Sequence, residues 1–394
     1  MIDSEALRQR FSKVLGRQEI YLANHSLGRP LDQTADDVRE GLDLWYEELD
    51  LGWPSWLAEA ERWRSNTARL LGHAGAESIV PKTSAGQGLR AVLNSFPQDR
   101  PVHVVTTTAE FDSIDFVLKT YQEKGRANVV FCPAQGGPVP LVSASDLVSE
   151  IDAAAELDLV VCSRVFFSTG QILEVQPIIE AAHRRGAKVL LDVYHAAGVI
   201  PLTLGADHVD FAIGGSYKYL RGGPGACWLA IHPSQWPHQG PMTPPTLDTG
   251  WFAKSDTFDY GRFETPKVKP GGAGWAESTP PVLMPYQARS GLELVLELGV
   301  EAIRRDSLAR QAHLRERLIA EGLSPFVPAD PEQFGAFVLL PSERPQELCQ
   351  QFKDAGVNVD SRGSFVRLCP DFLSTLEELD RAANLMAAAA RADG

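Results

Sequence analysis

The sequence predicts an α/β protein: a large domain with a mainly parallel sheet flanked by helices, plus a small α+β domain. Three observations carry that expectation. Between about residues 78 and 233, short apolar runs alternate with helix-length amphipathic ones, the pattern of a parallel sheet covered on both faces. After an irregular stretch at 233–281, a long helical pattern resumes at 284–321. Two further strands and two helices close the chain. At 394 residues there is enough chain for one large core and a smaller one.

The elements follow in order. Residues 5–14 read as a short helix, 20–24 as extended chain, and Leu27-Gly28-Arg29-Pro30 as a turn. A helix fits 36–48, where Val38, Leu42, Trp45 and Leu49 recur at helical spacing, and another fits 57–71. Strands are expected at 101–106, 128–132, 159–163, 188–192, 211–214 and 226–231. Ligands of such a sheet sit at the carboxyl ends of its strands. Pro, Gly, Trp and Phe are scattered through 233–281, and so long a loop in a compact chain is either functional or packed on a partner subunit. Gly322 and Pro325 stop the 284–321 helix; strands at 335–340 and 365–369 and helices at 344–355 and 376–390 complete the smaller unit. The expected division is a segment at 1–55 joining the small domain, a large domain at 56–283, and a linking helix with the small domain at 284–394. There is no internal repeat, and the alanine-rich tail is the one biased segment.

Composition narrows the partners. The apolar runs are short and broken by charge, which argues against a membrane span. The opening Met1-Ile2-Asp3-Ser4-Glu5 lacks the basic and apolar regions of a secretion signal, so a cytoplasmic location is expected. Five cysteines without a Cys-x-x-Cys spacing argue against a disulfide framework and a structural zinc, and no metal is expected. A net charge of -14 disfavours nucleic acid and anionic membranes as partners. A small molecule fits better.

The chemistry concentrates at strand exits. Lys218, in Gly214-Gly215-Ser216-Tyr217-Lys218-Tyr219, follows the strand at 211–214, and Asp192 ends the strand at 188–192. A lysine amine at one strand exit and a carboxylate at another are what pyridoxal phosphate requires: the amine condenses with its aldehyde, and the carboxylate keeps its ring nitrogen protonated. Tyr217 and Tyr219 shield the lysine, which lowers its pKa. Taken alone, Lys218 is a solvated surface lysine and Asp192 a helix cap; their company favours the cofactor. His195, at the mouth of the same strand, either stacks near the ring or is a satisfied core histidine, and Ser163 ends the neighbouring strand at the same edge.

The phosphate needs amides at a helix start. Thr83-Ser84-Ala85-Gly86-Gln87-Gly88 precedes a helical run at 89–96, so Ser84, Ala85 and Gly86 can meet an anion, or Ser84 is a simple N-cap. Gly222-Gly223-Pro224-Gly225 is followed by Ala226-Cys227-Trp228 with no third glycine and no helix start, so it is not a dinucleotide fingerprint. Those glycines instead let the backbone pass close to the lysine. Phe111 either covers the pyridine face or is core. Arg367 stands inside the apolar run Phe365-Val366-Arg367-Leu368-Cys369 and needs a carboxylate, from an amino-acid substrate or from within the chain.

With these residues in place, the chain resembles the fold-type I pyridoxal phosphate enzymes of the class V aminotransferase group, and within it the kynureninases. The resemblance spans nearly the whole length. It is carried by His25-Ser26-Leu27-Gly28, Phe166-Phe167-Ser168-Thr169-Gly170-Gln171, Asp192-x-x-His195-x-x-Gly198, Ser216-Tyr217-Lys218-Tyr219-Leu220, Gly225, Gly250-Trp251-Phe252, Gly274-Trp275-Ala276-Glu277-Ser278-Thr279-Pro280-Pro281, and Arg367-x-x-Pro370. It implies that Lys218 holds the cofactor, Asp192 its ring nitrogen, Tyr217 its phosphate and Phe111 its ring face. It also implies His25 and Arg367 at an amino-acid substrate, and a homodimer in which Trp251 and Thr279 reach the partner's phosphate.

Departures are equally specific. Ala253 and Lys254 stand where kynureninases continue with a glycine and a histidine, Thr279 where many have asparagine, Ile114 (beside Asp115) where they have aspartate, and Leu373-Ser374 where they have a Tyr-Asn pair. Several of these positions face the aryl end of kynurenine in the family. The resemblance implies hydrolytic Cβ–Cγ cleavage of kynurenine or a related γ-keto amino acid, in tryptophan catabolism. The alternatives on the same scaffold are β-elimination, desulfuration and transamination, or a non-catalytic binding protein. A desulfurase needs a cysteine on a mobile loop, and Cys369 inside an apolar strand is a poor candidate.

Overall fold

Runs of valine, leucine and isoleucine that are apolar at every position suit strands covered on both faces, and here they assemble side by side. The computed structural model describes residues 2–236, 243–262 and 264–391. Its strands are β1 (Ile20–Tyr21), β2 (Ile79–Lys82), β3 (Val102–Thr107), β4 (Ala127–Cys132), β5 (Leu159–Ser163), β6 (Lys188–Asp192), β7 (Phe211–Gly215), β8 (Cys227–Ile231), β9 (Val338–Pro341), β10 (Val357–Asn358), β11 (Asp360–Arg362) and β12 (Phe365–Leu368). Seven of them form the large sheet in the order β2-β8-β7-β6-β5-β3-β4. From β7 to β4 neighbours run parallel, while β8 is antiparallel to both β7 and β2.

Alternation along the strands sends side chains to two cores. Val105, Val160, Cys162, Val189 and Leu191 face one, where the helices Ala144–Ala153 and Gln176–Arg184 contribute Leu147, Ile151, Ile178 and Ile179. Val104, Leu159, Val161, Leu190 and Ile213 face the other, with Leu89, Val92, Ile114 and Leu118 from the helices Ala85–Leu93 and Asp112–Glu123. Each fully buried side chain of this size contributes about 1.5–3 kcal/mol. Together they make the carboxyl edge of the sheet a stiff platform.

Topology then places the site. The chain leaves β3 for β4 on one side and later returns to β5 on the other, so the loops after β3 and β5 diverge and open a crevice. The parallel register sets Ser163 of β5 against Asp192 of β6, and Asp192 against Ile213 of β7. The three strand ends therefore stand level beneath that crevice.

A three-stranded antiparallel sheet, β11-β12-β9, lies with the helices Pro345–Asp354 and Leu376–Arg391 around a third core. The N-terminal β1 pairs in parallel with β10, matching Ile20 to Val357 and Tyr21 to Asn358.

Several details differ from the sequence expectation, among them that the helix expected at 5–14 is broken by a 3₁₀ turn at Gln9–Phe11 and that β10 and β11 were not expected. The single helix expected at 284–321 is two, Met284–Leu298 and Val300–Ala320, broken at Gly299, whose φ of 80° lies outside the helical region. The helix expected from 89 begins at Ala85, because Ser84 caps it. The strand β2 was not among those expected: Pro81 within it argues against a strand, yet β2 is the edge of the sheet, where a missing N–H costs little. The irregular stretch at 233–281 contains only short 3₁₀ turns, including Trp251–Ala253 and Gly271–Trp275, among the described residues; 237–242 and 263 lie outside them. Among the described residues no helix is long and apolar enough to cross a membrane, and no group of histidines, cysteines and carboxylates is placed to hold a metal.

Candidate active site

Past the end of β7 the chain turns through Ser216–Leu220, and Lys218 comes to lie buried, 5% exposed, at the carboxyl edge. Gly28 fixes the outer side of that turn: its N–H donates to the Tyr217 carbonyl at 2.7 Å, and a Cβ on it would stand 2.0 Å from the Lys218 carbonyl oxygen. Lys218 Nζ lies 2.5 Å from His195 Nε2 and 5.5, 5.7 and 5.8 Å from the ring centres of Tyr217, Phe111 and Tyr194. Burial among these rings pulls the ammonium down to about 7, against the opposing pull of Asp192. Near neutral pH the amine is therefore available as a nucleophile and base.

Asp192 ends β6 inside the same cavity, a space of about 240 Å³. Burial raises its carboxyl to about 6, while the Tyr194 N–H, donating to Oδ1 at 2.9 Å, and Lys218 pull it down. No arginine, lysine or histidine lies within ion-pairing distance of Asp192 among the described residues. A buried carboxylate on a cavity wall without a cation is costly unless a ligand supplies one. A protonated pyridine nitrogen does so.

The cavity wall continues through Thr83, Ser84 and Ala85 at the start of the helix Ala85–Leu93. The Ser84 hydroxyl accepts from the Gln87 N–H at 3.2 Å, and the first amides of the helix and its dipole face an anion there. Gly86, the next residue in, belongs to that first turn. Phe111, Ser163, His195, Tyr217 and Gly225 also line the cavity. Among the described residues His195 Nδ1 is buried without a partner, which leaves one polar atom of the wall to be satisfied. Phe111 stands edge-on to Phe167 with ring centres 5.5 Å apart, and both border the same space. These residues fit pyridoxal phosphate at each of its ends: an amine for the aldehyde, a carboxylate for the ring nitrogen, and a helix start for the phosphate.

Not every expected residue joins that cavity. Trp251 and Thr279 touch each other, Nε1 donating to Oγ1 at 3.1 Å, and neither lines it within this chain. Arg367 is 2% exposed and meets a carboxylate from within the chain, the alternative left open by its sequence. Its Nε and Nη2 donate to Asp360 at 2.8 and 2.6 Å, and its Nη1 donates to the Phe167 carbonyl. Three of its five N–H donors are thus committed. His25 shares the same acceptor: its Nε2 lies 2.8 Å from Asp360 Oδ1, and the Ser26 hydroxyl donates to Oδ2. Burial first and Arg367 second lower His25 to about 4, so it is neutral at pH 7. For Asp360, burial raises the carboxyl, but His25 and Arg367 more than offset it and hold it well below the usual range. The His25 ring stands 6.5 Å from that of His195, which ties this cluster to the cavity.

Asp360, Glu110 and Tyr194 are site residues that were not singled out from the sequence, Tyr194 lining the cavity beside Lys218. Asp360 sits directly across the hairpin from Arg367, a pairing that becomes visible only once β11 and β12 are in register. Glu110, just before Phe111, reads as a polar loop residue; in the structure it is 4% exposed and accepts from Thr107 Oγ1 at 2.7 Å and Ser163 Oγ at 2.6 Å. Five buried thiols complete the inventory; Cys227 borders the cavity, and burial raises its pKa.

The fold and this constellation define a pyridoxal phosphate-dependent enzyme. The sequence pattern of the aminotransferase class-V family matches residues 55–363, and the chain belongs to that family. It is similar to the kynureninase of Salinispora tropica, 30% identical over 94% of this chain and 90% of that protein. It is also similar to that of Myxococcus xanthus, 28% identical over 88% and 84%. Among solved structures, the apo cysteine desulfurase of Thermococcus onnurineus NA1 superposes with a TM-score of 0.82 at 18% identity, covering 100% of this chain and 99% of that one. A mutant of C-DES with glycine covalently linked to its pyridoxal phosphate superposes with a TM-score of 0.84 at 17% identity, over 98% and 99%. These two share the fold.

Proposed function

We propose that the protein hydrolyses the Cβ–Cγ bond of kynurenine or a related γ-keto amino acid, releasing alanine and the acyl portion as a carboxylic acid. The observation that carries this reading is the similarity to kynureninases, which runs over nearly the full length of both chains. The thiols support it as well: all five cysteines are buried, and the one bordering the cavity has a raised pKa, the opposite of what a sulfur-accepting nucleophile needs.

Bound pyridoxal phosphate supplies the electron sink for charge that develops at the substrate α-carbon. Lys218, with its amine at about neutral pKa, removes the α-proton and returns a proton later in the cycle. Asp192 holds the proton on the ring nitrogen. Phe111 and His195 line the cavity beside the amine, with the Phe111 ring centre 5.7 Å and His195 Nε2 2.5 Å from it. Arg367 has two uncommitted N–H donors with which to take the substrate carboxylate, and Asp360 keeps the guanidinium in place for it. One water is consumed: its oxygen goes to the carbonyl carbon as the Cβ–Cγ bond breaks, and its protons balance the two products.

The same reading includes a homodimer. Trp251 and Thr279 lie outside their own chain's cavity, and in a dimer they would supply phosphate contacts to the partner, as the resemblance implies. Against a non-catalytic binding protein stands the presence of both Lys218 and Asp192, buried and, among the described residues, without a salt-bridge partner.

Incubation of the holoenzyme with kynurenine, cysteine and a panel of amino acids, with products identified by mass spectrometry, tests the proposal. Alanine from kynurenine supports it. Sulfide from cysteine, a keto acid from transamination, or no product from any substrate overturns it.

A further inference from the structure

Glu110 is a buried carboxyl with no role in the reaction proposed above. It follows β3, and its two oxygens bridge the ends of two strands: Oε1 to Thr107 at the end of β3, Oε2 to Ser163 at the end of β5. Thr107 is itself held, since its Oγ1 accepts from the Ala109 N–H at 3.2 Å. The Ser163 hydroxyl has no second partner among the described residues. Ser163 lines the cavity, and its register partner on β6 is Asp192. A hydroxyl donates one hydrogen and accepts through its lone pairs, so whichever way Ser163 serves Glu110 decides what it shows the cavity.

We infer that Glu110 is a positioning residue for pyridoxal phosphate: through Ser163 it sets whether the cavity meets a hydroxyl donor or an acceptor. With Glu110 protonated, its own O–H donates to Ser163 Oγ, and the serine hydrogen turns to the cavity. With Glu110 ionised, the serine hydrogen is drawn to the carboxylate, and a lone pair faces the cavity. Pyridoxal phosphate carries anionic oxygens, which bind better to a donor.

The surroundings raise this carboxyl until both forms are populated near neutral pH. Burial raises Glu110 to about 7; the bonds from Ser163 and Thr107 oppose this, and the Asp192 carboxylate on β6 adds to it. The Cys162 thiol of β5 also faces it and has a pKa raised well above the ordinary value. Between about pH 6 and pH 7 the second carboxyl of the site is therefore mostly neutral while the first, Asp192, is mostly charged. As pH rises through 7, the donor facing the cavity is lost.

Glu110→Gln is the informative variant, because its amide can donate to Ser163 and accept from Thr107 as the protonated acid does. The measurement is the dissociation constant of pyridoxal phosphate, from equilibrium dialysis after release from the holoenzyme, for wild type, Glu110→Gln, Ser163→Ala and the double variant, each checked for native circular dichroism. At pH 6, Glu110→Gln binds within about twofold of wild type. At pH 8.5 it binds about tenfold tighter than wild type, roughly the worth of one hydrogen bond to a charged group. In the Ser163→Ala background the difference between Glu and Gln disappears at both pH values. Equal affinities of wild type and Glu110→Gln at pH 8.5 would overturn the inference, and so would a difference that persists without Ser163. Neither readout depends on which amino acid is the substrate.

Discussion

Replacing Asp360 by asparagine removes one negative charge from a site where four donors converge: Arg367 Nε and Nη2, His25 Nε2 and Ser26 Oγ. The Arg367 side chain is 2% exposed, so its charge is left buried without a counterion. Breaking a buried pair from one side costs about 3–5 kcal/mol. Asp360 is 15% exposed, so water reaches the gap and the lower end applies, about 3 kcal/mol. At an unfolding slope of about 3 kcal/mol per molar urea, the midpoint falls by about 1 M. Because a chain with several cores need not unfold in one step, midpoints from far-UV circular dichroism are the quantity to compare. Two controls isolate the cause. Asp360→Asn combined with Arg367→Met recovers most of the loss, since the lone charge is gone. Adding the amino-acid substrate raises the midpoint of Asp360→Asn more than that of wild type, because its carboxylate takes the vacated place beside Arg367. A midpoint shift below about 0.3 M, or a double variant less stable than Asp360→Asn, would refute the assignment of Arg367 and Asp360 as a buried pair organising this corner.

The remaining expectations concern the lysine, the glycine beside it and the partner loop. In the cofactor-free protein Lys218 has a pKa of about 7 against an ordinary 10.5, so between those pH values the unfolded chain holds more protons than the folded one. Folding stability therefore rises across that window, by up to about 1.4 kcal/mol per pH unit, and Lys218→Met flattens the rise in urea titrations at stepped pH. Lys218→Ala also abolishes turnover and the fixing of pyridoxal phosphate to the protein by borohydride, read by intact mass. Gly28→Ala forces a methyl against the Lys218 carbonyl, 2.0 Å from where its Cβ would lie, and costs about 1–3 kcal/mol with weaker cofactor retention. Trp251→Ala and Lys218→Ala, each inactive alone, regain about a quarter of wild-type activity when refolded together, because half the dimers then hold one intact site; no recovery would place Trp251 outside the partner's site.

The lysine and the aspartate were legible because strand ends are legible: three apolar positions in a row followed by one carboxylate, and a lysine bracketed by tyrosines after another such run. Arg367 was legible as an outlier in an apolar strand, but its partner was not. Asp360 is matched to it only by the antiparallel register of β11 and β12, and a three-residue strand gives no periodicity of its own. Glu110 was hidden for a different reason. Its burial comes from the convergence of Thr107 and Ser163, which lie on neighbouring strands but are 56 positions apart in sequence. The break at Gly299 was missed because the helical pattern holds on both sides of one glycine, and β2 because Pro81 hides an edge strand.

The site is thus assembled from parts of unequal stiffness, and that bears on how one scaffold comes to host several reactions. Lys218, Asp192 and Ser163 stand at the ends of strands buried on both faces, so any change that moves them must deform the sheet. Asp360 and Arg367 belong to a short hairpin of the smaller sheet, and Trp251 and Thr279 to a stretch without strands or α-helices among the described residues. In the reading proposed here, cofactor retention depends on the first set. Choice of substrate, in the same reading, depends on the second, where most positions that depart from the kynureninases are also found, Lys254 beside Trp251 and Leu373-Ser374 beyond Arg367; Ile114, buried against the large sheet, is the exception. The His25 ring, bonded to Asp360 and 6.5 Å from His195, is where the two sets meet. Substitutions in the hairpin and the irregular stretch should therefore alter which amino acid is turned over while the cofactor stays bound, and substitutions at the sheet edge should release the cofactor whatever the substrate.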